Sequence, residues 1–207
     1  LKFWEDHRGW SLLRPRGELA IVEDVASGAL MSIGIVDMLT ARHTPLRVIP
    51  SEKLSAETLA GARMALDINP AALSPKQREL LKQVARAGGT LLTAPPGWSF
   101  PPQRKDQVTV DEKDVEKLDD IWRAVNSIVG RQNLGVRLFN VASLRSELVS
   151  AAGGNPTVLH LVNYSDYPVE NVTVRLRDKF QKARLYVPGQ PVQDLKIYEN
   201  GEIDLDR

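Results

Sequence analysis

The chain has 207 residues, 43% of them hydrophobic and 26% charged, and its 27 Lys and Arg against 26 Asp and Glu give a formal net charge of +1. That balance leaves no electrostatic footprint for nucleic acid or an anionic membrane surface, and no apolar run approaches the roughly 20 residues that span a bilayer. Cysteine is absent, so there is no disulfide, thiolate metal site or cysteine nucleophile. His7, His43 and His160 stand too far apart for a paired-histidine ligand motif, so neither a metal nor another cofactor is expected.

Residues 1–17 (LKFWEDHRGWSLLRPRG) hold two of the four tryptophans and have no clean periodicity. They read as a lead-in from a preceding domain, with Trp4 and Trp10 covering apolar surface at the junction. The start at Leu1, with no basic-then-apolar leader, reads as a piece cut from a longer polypeptide. Nothing in the composition separates a cytoplasmic from a secreted protein.

From Glu18 strands and helices alternate. The apolar run 19–25 (LAIVEDV) predicts a buried parallel strand. A helix follows through Met31, Ile35, Val36 and Leu39, and the next strand covers 46–49. Ser55 caps a short helical turn over 57–60 that Gly61 stops, and 62–69 (ARMALDIN) is a third strand. The clearest helix start is Ser74 at N-cap, Pro75 at the first helical position and Gln77 completing a capping box. Leu80, Leu81 and Val84 form its buried face, Gly88 and Gly89 end it, and 90–93 (TLLT) is the fourth strand. Four prolines make 95–107 a loop. An amphipathic helix then runs over 111–130, with Trp122 expected in the core.

Strands alternating with helices imply a parallel sheet wrapped on both faces, because parallel neighbours need crossover connections. Beyond Leu134 the helical pattern stops, and seven short strand candidates follow, at 136–141, 146–151, 157–165, 169–178, 183–187, 192–198 and 202–205. These predict a small antiparallel β-sandwich. The stretch 157–178 (TVLHLVNYSDYPVENVTVRLRD) reads as two of its strands joined by a polar turn, with Tyr164 and Tyr167 plugging one end. The expected organisation is therefore a lead-in (1–17), an α/β domain (18–133) and a β-sandwich (134–207).

Open parallel sheets bind ligands beyond the carboxyl ends of their strands. Those ends present Glu23 and Asp24, Asp67, and Thr93. Acids after the first strand, an aspartate at the third and Thr-Ala after the fourth resemble a response-regulator receiver domain. The resemblance implies a divalent ion held by the acids and phosphate accepted by Asp67. The lysine such a domain needs has no convincing counterpart, since Lys105 lies in the proline loop and Lys113 and Lys117 at a helix start. The plainer reading is that these acids cap helices and pair with basic neighbours.

A second resemblance covers roughly 190 residues. The IVED strand, ARMALDIN after a variable loop, and SPKQRELLKQVARAGGTLLT resemble the class I glutamine-amidotransferase-like module found behind the catalytic barrel of some glycoside hydrolases, the β-galactosidase trimerisation domain. The tail, TVLHLVNYSDYPVENVTVRL with KARLYVPGQPVQDLKIYENGEIDL, is similar to the small β-domain that closes such enzymes. The implied fold is a flavodoxin-like or amidotransferase-like sheet followed by the sandwich. The implied role is accessory, with a catalytic domain of the same polypeptide as partner and a second copy of the chain as another. At the place of the amidotransferase elbow stand Thr93, Ala94, Pro95, Pro96 and Gly97, without a nucleophile. A glycosidase barrel needs about 250 residues, for which there is no room. A carbohydrate-binding module is the other expectation, with Trp98 and Phe100 in the proline loop as the main stacking candidates and Tyr164 and Tyr167 beside them.

Overall fold

A computed structural model describes residues 2–23, 30–93, 112–129, 136–139, 141 and 143–205. In chain order the elements are α1 (Lys2–Asp6), a 3-10 turn (Arg8–Leu12), β1 (Arg14–Pro15), β2 (Leu19–Glu23), α2 (Leu30–Ala41), β3 (Leu46–Pro50), α3 (Ala56–Leu59), β4 (Met64–Asp67), α4 (Pro75–Arg86), β5 (Thr90–Thr93) and α5 (Glu112–Val129). They continue with β6 (Val136–Phe139), β7 (Leu144–Ser150), β8 (Thr157–Asn163), β9 (Val172–Leu176), β10 (Ala183–Leu185), β11 (Gln193–Leu195) and β12 (Glu202–Leu205). The chain divides into two compact units, one of 17–42 and 46–133 and the other of 1–16, 43–45 and 134–207.

The first unit is an α/β layer structure. Its sheet has the order β3-β2-β4-β5 with every neighbour parallel. The strands are short apolar runs because a parallel sheet is covered on both faces, and Leu19, Ala20, Ile21, Met64, Ala65 and Leu66 are all fully buried. Alternation divides these side chains between two layers. Ala20, Val22 and Ala65 pack with Leu54, Leu59, Leu73, Leu81 and Val84, which puts α3 and α4 on that face. Leu19, Ile21, Met64 and Leu66 point the other way, toward the face left to α2 and α5. Those two helices pack on each other and bury Ile35, Leu39, Ile121 and Val125.

The start of α4 forms as its sequence predicts. The Ser74 hydroxyl accepts from the Gln77 N–H, and Gln77 Oε1 accepts from the Ser74 N–H, satisfying two of the donors a helix start leaves orphaned. Gln77 also donates from Nε2 to the Ser51 carbonyl at 2.7 Å, tying the helix to the turn after β3. Ser55 makes the equivalent box with Thr58. Trp122 departs from expectation. It is half-buried rather than a core residue, because its ring carries the guanidinium of Arg42 at 4.3 Å from the centroid.

The second unit contains two three-stranded antiparallel sheets, β1-β7-β8 and β12-β9-β6, with a β10-β11 ribbon. Val136, Leu138, Leu144, Leu148, Val172 and Val174 form its core, with Leu159, Leu161, Leu176 and Leu205 packed against them. The two strands read from 157–178 are both present, yet they do not pair with each other. β8 pairs with β7, and β9 pairs with β6 and β12. Leu159 and Leu161 face the core from one sheet and Val172 and Val174 from the other, so the intervening turn carries the chain between layers. Residues 1–16 belong to this unit. β1 lies against β7 with Arg14 opposite Ser150, Arg16 N–H donates to the Leu148 carbonyl at 2.7 Å, and Arg16 forms an ion pair with Asp178. Tyr164 and Tyr167 do not plug the sandwich; they stand 73% and 79% exposed.

Candidate functional site

Numbered by sequence within the sheet, the α/β unit has the strand order 2-1-3-4, and its helical connections change face between β2 and β4. That is the topological switch point at which such sheets take ligands. The residues at the carboxyl ends there are Glu23 on β2, Asp67 on β4 and Thr93 on β5. Asp24 lies outside the described residues.

Register decides which of these side chains meet. Asp67 is level with Val22 on one side and Thr93 on the other, and partners in a parallel ladder share a face. Asp67 and Thr93 are therefore on the α4 face, with Asp67 buried and Thr93 exposed. Glu23 is one residue further along β2, so alternation sends it toward the opposite face. Glu23 and Asp67 therefore lie on opposite faces at the strand ends, and Asp24 and Lys105, the other residues of the receiver resemblance, lie outside the described residues. Among the described residues no group of three or more His, Asp or Glu side chains is placed to hold a metal ion.

Asp67 is the most unusual group at this edge. It is only 3% exposed, and its Oδ1 has no hydrogen-bond partner. Burial pushes its pKa up to about 6, against the opposing pull of the Asn69 N–H bonded to the carboxylate and of the positive charge of Arg78. The arrangement gives the strand end a carboxyl group that exchanges its proton near neutrality.

Trp98 and Phe100, expected as stacking residues, lie outside the described residues. Other aromatic side chains gather in the β unit instead. Trp10 sits 4.2 Å from His7, 5.3 Å from Tyr186 and 5.8 Å from His160 between ring centroids, with Phe3 at 6.0 Å. Trp4 flanks His160 at 6.4 Å and is 59% exposed. His7 Nδ1 donates to the Phe3 carbonyl at 2.7 Å, which leaves Nε2 as the acceptor of the neutral ring. The spacing of Phe3, His7 and Trp10 along one helical face was the available signal for part of this cluster. Tyr186 and His160 join it only through tertiary structure.

No family model matches the sequence, and no curated protein matches it. Two solved structures share its fold. One is alpha-L-fucosidase isoenzyme 2 from Paenibacillus thiaminolyticus, with a TM-score of 0.65 and 11% identity over 97% of this chain. The other is a catalytic mutant of Gan42B, a GH42 beta-galactosidase from G. stearothermophilus, with a TM-score of 0.50 and 13% identity over 93% of this chain. This chain covers 48% of the first and 39% of the second, less than half of either. Among the described residues no helix is long and apolar enough to cross a membrane.

Proposed function

We propose that this chain is the non-catalytic accessory region of a glycoside-hydrolase-like protein, packing on a catalytic domain of the same polypeptide or joining subunits. The observation that carries the reading is the pairing of coverages. Nearly all of this chain, 97%, matches under half, 48%, of a fucosidase. The sequence resemblance to the amidotransferase-like and β-domains of such enzymes supports the same reading independently. So does size: a (β/α)8 barrel takes about 250 residues, and among the described residues the sheet has four parallel strands. The residue that would have to act in amidotransferase chemistry is missing from the sequence at the elbow position, where Thr93, Ala94, Pro95, Pro96 and Gly97 stand.

The chain alone should give no turnover of aryl α-fucoside or aryl β-galactoside substrates above a buffer blank, nor of glutamine. Turnover that survives further purification and disappears when a residue of this chain is changed would overturn the reading.

A further inference from the structure

The turn between β8 and β9 is tied by several hydrogen bonds and carries two exposed aromatic rings. Asn163, the last residue of β8, organises it. Its Nδ2 donates to the Tyr167 carbonyl at 2.7 Å, and its Oδ1 accepts from the Ser165 N–H at 3.0 Å. The Ser165 hydroxyl lies 2.8 Å from Asn163 Oδ1 and 3.0 Å from the Tyr167 carbonyl, adding a further tie across the loop. The Tyr164 N–H donates to the Ser143 carbonyl at 3.1 Å, anchoring the turn to the chain before β7. All these bonds are spent on backbone geometry, while Tyr164 and Tyr167 are left 73% and 79% exposed with Asp166 exposed between them.

A folding role does not account for this. The rings bury little, and the core beneath the turn is already filled by Leu159, Leu161, Val172 and Val174. Two exposed tyrosines on a pre-ordered loop are useful in recognition, because the entropy of ordering the loop backbone has already been spent.

We infer that this turn binds a neutral saccharide, Tyr164 and Tyr167 each offering a ring to the C–H face of a pyranose and the Asp166 carboxylate accepting from sugar hydroxyls. The chemistry favours a sugar over a protein partner. Tyrosine offers a flat apolar face with a polar tip, and an exposed carboxylate suits vicinal hydroxyls. The patch is also small: two side chains of roughly 150–250 Å² each fall well short of the ~800 Å² that each partner contributes to a stable protein interface. The site is independent of the accessory-region reading, because it needs no catalytic domain to operate.

The test is saturation-transfer-difference NMR on the full chain with lactose, cellobiose and maltose at millimolar concentration. Transfer to the ring C–H protons of at least one disaccharide is expected. Tyr164→Ala and Tyr167→Ala should each weaken its binding about tenfold, the equivalent of one lost stacking contact, with the circular dichroism spectrum unchanged. Asn163→Ala, which leaves both rings but loosens their mount, should weaken it less. No transfer to any of the three overturns the proposal. So does transfer that survives the double tyrosine variant, and loss only in Trp4→Ala would place the site on the Trp10 cluster instead. Binding that vanishes with the tyrosines only for a protein ligand, and not for the disaccharides, overturns it equally.

Discussion

Asn69 donates its backbone N–H to the carboxylate of Asp67, two residues earlier, where β4 leaves the sheet. The bond favours the charged form, yet burial outweighs it and raises the pKa from 3.8 to about 6. The unfolded chain therefore releases this proton at lower pH than the folded chain does. Between those values the folded state binds more protons, so stability falls as pH rises through the window and levels off above it. A shift of this size corresponds to roughly 3 kcal/mol. Asp67→Asn removes the titration and should gain on the wild type between pH 4 and pH 7. Urea unfolding across that range checks this, and parallel profiles for the two proteins would contradict it.

Arg42 holds α5 in two ways. Its guanidinium lies over Trp122, and its Nη2 is 2.6 Å from Asp119 Oδ1. Both ion-pair partners are more than a third exposed, so the salt bridge contributes little and weakens with salt. The ring contact is less sensitive to screening. Arg42→Ala should cost about 1 kcal/mol and Asp119→Asn a smaller part of that. In 1 M NaCl the Asp119→Asn effect should shrink toward zero while most of the Arg42→Ala effect remains. Equal sensitivity of the two variants to salt would assign the whole interaction to the ion pair.

What the sequence revealed and what it hid follow from the range of the forces involved. The Ser74–Gln77 box was legible because capping is settled within four residues, and β2 and β4 were legible because a strand buried on both faces must be an unbroken apolar run. The sheet assignment of β8 and β9 was not, since alternation is the same whether consecutive strands pair or cross between layers. Trp122 lies on an apolar stripe, and only the placement of Arg42 77 residues before Asp119 shows that its ring takes a cation. Glu23 and Asp67 both end strands, as expected, but a one-residue difference in register separates their faces. The tyrosines of the β8–β9 turn looked like plugs because a turn's own hydrogen bonds, which lift them into solvent, leave no hydrophobic pattern.

Three glycines test how closely the α/β unit is packed. A Cβ on Gly17 would stand 2.7 Å from the Leu46 Cα and N, and one on Gly89 would stand 2.8 Å from the Arg63 carbonyl oxygen and 2.9 Å from Val84 Cγ1. In both cases the nearest atoms include backbone of a neighbouring element, which cannot turn aside as a flexible side-chain tip can. Gly88 meets nothing within 4 Å but has φ +86°, so a side chain there costs backbone strain alone, about 1–2 kcal/mol. Gly153, with open space and no positive φ, has neither problem. Gly17→Ala and Gly89→Ala should each cost about 1–3 kcal/mol or more, because the sheet has to shift to relieve overpacking. Gly88→Ala should fall below them, and Gly153→Ala should be nearly silent. Thermal unfolding of the four variants reads the order directly. A Gly89→Ala protein as stable as Gly153→Ala would mean that α4 can move off β4 without penalty, which the burial of Leu81 and Val84 against Ala65 argues against.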